Sequence, residues 1–143
     1  MRSASSETFT SQFMCFVRIR ADDGSEGWGQ VAPYNADITA SVLHRQVAPY
    51  ALGKDAFDID ALVDDIPLRE HKFPGSYVSR AIGGLDTALW DLRGNLDGKP
   101  VCALIGRSQG PLRAHASSMT RHCAHQAGAL SPTQLCPAPP RAS

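Results

Sequence analysis

The chain has 143 residues, 43% of them hydrophobic and 20% charged, and its 14 basic and 14 acidic side chains balance to a formal charge of zero. That length suits one domain of ordinary size, and the charge balance leaves no basic excess for gripping nucleic acid. No apolar run approaches the roughly 20 residues of a membrane span. The opening "MRSASSETFTSQ" lacks the apolar stretch of a secretory signal, so a cytoplasmic protein without membrane or nucleic-acid partners is expected.

The clearest β signal is "QFMCFVRIRADDGSEGWGQV". Phe13, Cys15, Val17 and Ile19 alternate with Met14, Phe16, Arg18 and Arg20, a period of two. Asp22-Asp23-Gly24-Ser25 supplies a turn, and Glu26 to Val31 returns as a second strand with Gly27 and Gly29 flanking Trp28. "APYNAD" then reads as a loop, with Asn35 or Asp37 as N-cap of a helix that runs to about Val47 and is ended by Pro49. Ile38, Val42, Leu43 and Val47 form its apolar stripe.

A second helix is expected from about Asp58, burying Ile59, Leu62, Val63 and Ile66 and stopping at Pro67. "REHKFPGS" is a polar loop. The next helix contains "AIGGLDTALWDLRGN", whose Ile82, Leu85, Leu89 and Leu92 are spaced three, four and three apart along one face. It ends between Asn95 and Gly98, residue types that tolerate left-handed backbone, and Pro100 opens a short helix over "PVCALIG". "LRAHASSM" suits one more strand. From His122 the chain holds four of the ten prolines, one Arg and no Asp, Glu or Lys, the composition of a disordered tail. Strands, then helices, then one strand make an α+β unit: an antiparallel hairpin or meander followed by a small helical bundle.

Few side chains offer chemistry. Asp86 and Asp91 are five residues apart, a net rotation of about 140° on a helix, so they do not flank one reacting bond. Trp90 beside the stripe is a packing residue. His122, Cys123, His125 and Cys136 are zinc-ligand types, but "HCAH" crowds three of them where structural zinc sites use two spaced pairs. His115 and Ser117 would share a strand face as base and nucleophile, without a G-x-S-x-G elbow or an acidic orienter nearby. "GWGQ" and "IGGLD" match neither a P-loop nor a dinucleotide fingerprint. The four cysteines contain no C-x-x-C pair and, without a secretory signal, suggest no disulfide framework.

Residues 81–106, "AIGGLDTALWDLRGNLDGKPVCALIG", resemble a signature of the mandelate racemase / muconate lactonizing enzyme family, a branch of the enolase superfamily. The resemblance rests on Ala81, Gly83-Gly84-Leu85-Asp86, Ala88-Leu89, Asp91-Leu92, Gly94, Pro100-Val101 and Leu104-Ile105-Gly106. Asn95 departs from it, standing where the family usually has Lys, Arg or Gln. "VRIRADDGSEGWGQ" is similar to the family's strand–turn–strand, and "LRAHASS" resembles the linker into its barrel.

The resemblance implies an N-terminal α+β capping domain over residues 1–111, with its first strand missing. It further implies the start of a (β/α)-barrel at 112–121 and a disordered or frameshifted tail at 122–143. Codons can be chosen for "RHCAHQAG" that, shifted one base, continue the family pattern Asp-Ile-x-Pro. In the family, barrel carboxylates bind Mg²⁺, and Lys or His bases take a proton α to a carboxylate to give a stabilised enediolate. A barrel needs about 250 residues, and about 30 follow Pro111, so no catalytic residue and no bound Mg²⁺ are expected in this chain. Two cap loops shape specificity in the family. One corresponds to Pro33–Ala36, giving Tyr34 and Asn35 as substrate-binding residues, and the other to about Ser5–Thr10. The expected substrate of the whole enzyme is a carboxylate of the acid-sugar type, turned over by a racemase, cycloisomerase or dehydratase that is homo-oligomeric. The alternative is a non-catalytic α+β interaction module.

Overall fold

The structure, a computed structural model, describes residues 2–107. The strand expected over "LRAHASSM", the His115–Ser117 pair, the zinc-type tail residues and the barrel start at 112–121 lie outside the described residues. Three antiparallel strands, β1 (Ser3–Thr10), β2 (Cys15–Ala21) and β3 (Glu26–Gln30), form a sheet in the order β1-β2-β3. The alternation read in β2 is real: Cys15, Val17, Ile19 and Ala21 are buried, and Phe16, Arg18 and Arg20 stand on the opposite face. The β2–β3 turn uses Gly24 at φ 87°. The Ser25 N–H donates to Asp23 Oδ1 at 2.9 Å, and that bond holds the Asp23 carboxyl below its ordinary pKa.

Strand β1 corrects two expectations. The loop expected over residues 5–10 is strand, and the sheet position expected to lack a strand is filled by it. Its register sets Glu7 opposite Arg18, Phe9 opposite Phe16 and Thr10 opposite Cys15. "SASSETFT" carries one large apolar side chain, so it offers no hydrophobic alternation. It is ordered by the backbone ladder to β2 and by its N-terminal end. There the buried Ser3 hydroxyl donates to the Ala51 carbonyl at 2.6 Å, and the Ser3 and Gly53 N–H groups bond to the Lys54 and Ser3 carbonyls.

Two prolines also fail to end their helices. Helix α1 (Ala36–Val42) widens into a π turn over Leu43–Val47 and continues as α2 (Ala48–Ala51). Pro49 occupies the first turn of α2, where a missing N–H costs little because those donors lack helical partners anyway. Helix α3 (Ile59–Arg69) runs through Pro67. Ile66 is fully buried just before it, and its carbonyl still accepts the Glu70 N–H at 3.0 Å, so packing overrides the breaker for the last half-turn. The Glu70 carboxylate then accepts from Gln46 Nε2 at 3.0 Å and Tyr50 Oη at 2.9 Å, tying the end of α3 to the π turn and α2.

Helix α4 (Ser76–Asp97) is the spine, ended by Gly98 in the left-handed region at φ 60° and followed by α5 (Val101–Leu104) after Pro100. Ile82, Leu85, Leu89 and Leu92 are all buried, as their spacing predicts. Its approach to the sheet is unusually close because β3 turns two glycines toward it. A Cβ built on Gly27 would lie 2.1 Å from the Ala88 carbonyl oxygen, and one on Gly29 would lie 2.2 Å from that of Gly84. Val17 and Val31 fill the space above Gly84 itself. The core of Val17, Ile19, Leu43, Val47, Ile66, Leu85, Leu89 and Leu92 sits between this sheet face and the helices. Cys15 belongs to it as a small apolar residue, and burial pushes its thiol pKa up. Among the described residues, no helix is long and apolar enough to cross a membrane.

Candidate substrate-facing loop

The two helical carboxylates go to different elements. Asp91 Oδ2 accepts the backbone N–H of Trp28 at 2.8 Å, and the Asn95 side-chain amide donates both to it (3.3 Å) and to the Glu26 carbonyl (3.1 Å). Asp91 and Asn95 therefore fasten α4 to the exposed backbone of edge strand β3. Asp86 is half-buried on the side toward α3; burial raises its pKa against an opposing hydrogen bond from Trp90, and Asp60 adds to the rise. The pair does not converge on one space.

The outer sheet face carries a separate cluster. The Arg18 guanidinium lies 5.2 Å from the Phe9 ring centroid and 5.3 Å from that of Trp28, and the two rings are 5.4 Å apart. Arg18 also pairs with Glu7, while Arg20 bonds Glu26 at 2.6 Å. The hydrogen bond from Arg20 is the main reason the Glu26 carboxyl titrates below its ordinary value. The carboxylates and the terminal guanidinium nitrogens pair with one another, while the Arg18 Nε is buried without a hydrogen-bond partner.

Tyr34 and Asn35 differ. They lie in the link between β3 and α1, and both have left-handed backbone, at φ 66° and 53°. Asn tolerates that region, but a bulky residue such as Tyr rarely enters it, at a cost of order 1–3 kcal/mol. The surroundings hold it there. The Ala36 N–H donates to the Gln12 carbonyl at 3.0 Å, and the Tyr34 ring meets Phe13 edge-on at 6.1 Å between centroids. Arg80 Nη1 donates to the Tyr34 carbonyl at 3.1 Å, and Asn35 Nδ2 donates to Tyr77 Oη at 3.0 Å. Asn35 is the N-cap of α1 by position, yet its side chain makes no cap bond to that helix. The outcome is a phenol ring 66% exposed on a backbone pinned from the β1–β2 turn and from α4.

Residues 5–10, expected as a second loop, lie in β1, and the turn that follows is residues 11–14. It is closed by the Ser11 N–H on the Met14 carbonyl at 2.7 Å, and it presents Phe13 and Met14 to solvent. Sequence reading reached Tyr34 and Asn35 through resemblance and missed Gln12, Phe13, Tyr77 and Arg80. Tyr77 and Arg80, three apart and so on one helix face, were the available signal. Nothing local links them to residues more than 40 positions away.

A three-stranded antiparallel meander lined on its inner face by a long helix, with shorter helices around it, is the capping domain of the enolase fold. The chain belongs to the mandelate racemase / muconate lactonizing enzyme family, whose N-terminal domain profile matches residues 2–106. It is 34% identical over 105 residues to a D-galactonate dehydratase family member of Paenibacillus sp. (strain JDR-2), an overlap of 70% of this chain and 26% of that protein. The structure of a Roseobacter denitrificans protein assigned as a racemase superposes with a TM-score of 0.80 at 56% identity, covering 85% of this chain and 33% of the other. A mandelate racemase/muconate lactonizing protein from Paracoccus denitrificans PD1222, complexed with magnesium, gives a TM-score of 0.70 at 33% identity, with 76% and 31% covered. The chain thus spans between a quarter and a third of the length of these relatives.

Proposed function

We propose that this chain is the substrate-specificity cap of a cytoplasmic, homo-oligomeric enzyme that takes a proton α to the carboxylate of an acid sugar with the help of Mg²⁺. The single observation that carries the reading is the exposed Tyr34 ring on a backbone held in the left-handed region, since a strained residue fixed at the surface is a mark of a site rather than of a core. In this reading Tyr34 and Asn35 face the substrate, with Phe13 and Met14 beside them. The relative described as a D-galactonate dehydratase family member supports an acid sugar as the substrate class, and the magnesium-bound relative supports the ion.

The described residues do not fit Mg²⁺. Among them no three His, Cys, Asp or Glu side chains gather to hold a metal, so no step through the ion is assigned to them. What this part of the chain contributes is shape and exclusion of water over the substrate.

The test has two arms. The purified chain, incubated with Mg²⁺ and a panel of aldonic and aldaric acids, is expected to turn over none of them. Residues 2–106 grafted in place of the matching segment of the Roseobacter denitrificans relative are expected to give a chimera active on at least one such acid. In that chimera Tyr34→Ala should raise KM about tenfold or more, the loss of one good polar or stacking contact. Turnover by the chain alone, or a folded chimera inert on every acid its parent accepts, would overturn the proposal.

A further inference from the structure

Two residues of α4 hold the Tyr34–Asn35 pair, and they hold it by different atoms. Arg80 takes the Tyr34 carbonyl and Tyr77 takes the Asn35 side-chain amide. The holders are also joined to each other, because the Arg80 guanidinium carbon lies 5.5 Å from the Tyr77 ring centroid. An Asn at an N-cap ordinarily turns its side chain to the first N–H groups of its own helix. Here Asn35 makes no such bond and reaches across to Tyr77 instead. The other ties are Ala36 to Gln12 and Tyr34 to Phe13 from the β1–β2 turn, and the Thr39 N–H and hydroxyl of α1 on the Asn35 carbonyl at 3.1 and 3.3 Å; the side of the loop toward α4 is left to Tyr77 and Arg80.

We propose that Tyr77 and Arg80 are positioning residues that lock Tyr34–Asn35 in left-handed backbone and so fix where the Tyr34 phenol points. The inference rests on the cap reading for what Tyr34 meets, but not for the lock itself. Without the two bonds to α4, the pair relaxes toward the extended region that a bulky residue prefers, and the phenol swings with it. A substrate read by Tyr34 would then have to reorder the loop on binding.

The test uses the ¹⁵N-labelled 143-residue chain and the variants Arg80→Met, Arg80→Lys and Tyr77→Phe. Tyr77→Phe keeps the ring beside Arg80 and removes only the hydroxyl. Two readouts report the loop: the three-bond HN–Hα couplings of Tyr34 and Asn35, which follow φ, and exchange of the Ala36 amide held by Gln12. Arg80→Met and Tyr77→Phe should each speed Ala36 exchange about tenfold and move both couplings away from left-handed values. Arg80→Lys, which keeps a cationic donor, should recover most of the protection. Exchange at Leu89, deep in the same helix, should not change. The lock is refuted if Ala36 exchange and the couplings stay at parental values in both Arg80→Met and Tyr77→Phe. It is equally refuted if Leu89 exchange rises in step with Ala36, since the two residues would then only support the fold. No substrate enters the measurement, so an inert chimera would remove the cap reading and leave the lock standing, and the converse also holds.

Discussion

Replacing Gly27 by alanine would place a methyl carbon 2.1 Å from the Ala88 carbonyl oxygen, 2.4 Å from the Leu92 nitrogen and 2.6 Å from the Leu92 Cβ. Ordinary van der Waals contact begins near 3.4 Å, so α4 would have to retreat by about an ångström along its middle. Two of the three obstructing atoms are backbone, which has no rotamer to escape into. The retreat would also loosen the fully buried Leu85, Leu89 and Leu92 against Val17 and Ile19. Overpacking of a core costs typically 1–3 kcal/mol, and a backbone obstruction belongs at the top of that range, about 3 kcal/mol. At about 4–8 °C per kcal/mol for a domain of this size, Tm should fall by about 12–24 °C.

Gly83 provides the internal contrast. It sits in the same helix with nothing within 4 Å of its would-be Cβ, and alanine there should stabilise by about 0.5–1 kcal/mol because glycine loses more backbone freedom on folding. Urea unfolding of the two variants, followed by far-ultraviolet circular dichroism and tryptophan fluorescence, reads both effects. A Gly27→Ala variant within about 0.5 kcal/mol of the parent, or a Gly83→Ala variant as damaged as Gly27→Ala, would refute the packing argument.

Three further outcomes follow from other contacts. Asp91→Ala leaves the Trp28 N–H without its acceptor and should cost about 1–2 kcal/mol in the same urea titration. Asp86 has a raised folded pKa, so the folded chain binds its proton more tightly than the unfolded chain; its ionised carboxylate costs stability above the folded pKa, and that cost disappears as pH falls to the unfolded value. The Asp86→Asn variant should therefore melt above the parent at pH 7 and level with it below about pH 4, the usual carboxylate range, and a Tm difference that does not vary with pH would show that burial of the charge is not the cause. Arg18→Gln removes the cation beside both Phe9 and Trp28, so tryptophan emission should change while stability drops by less than about 1 kcal/mol.

What could be read in the sequence was whatever a short window contains. The β2–β3 hairpin announces itself because Cys15, Val17 and Ile19 alternate with polar or outward residues over one strand length. The α4 stripe is legible for the same reason, and Gly98 marks its end by residue type alone. Strand β1 was hidden because Ser and Thr side chains leave no apolar rhythm; its order comes from the backbone ladder to β2 and from the distant ties of Ser3 to Ala51, Gly53 and Lys54. Pro49 and Pro67 misled because a breaker's local cost is small next to the burial of Val47 and Ile66 beside it. At the candidate site, Tyr34 and Asn35 were reached only by resemblance. The role of Tyr77 and Arg80 depends on a fold that brings positions 77 and 80 to positions 35 and 34, which no local spacing encodes.

The glycine face of β3 has a mechanical consequence. Where two surfaces interlock through side chains, protruding groups resist sliding as well as separation. A strand that shows its helix only Gly27 and Gly29 is a smooth rail, which draws α4 in close without marking where along the rail it should stop. Asp91 on the Trp28 N–H and Asn95 on the Glu26 carbonyl act as detents for the lengthwise position of α4, together with Val17 and Val31 packed over Gly84. Because Tyr77 and Arg80 ride on that same helix, a shift of one notch at Asp91 would be delivered, about three to four turns away, to the backbone of Tyr34 and the side chain of Asn35.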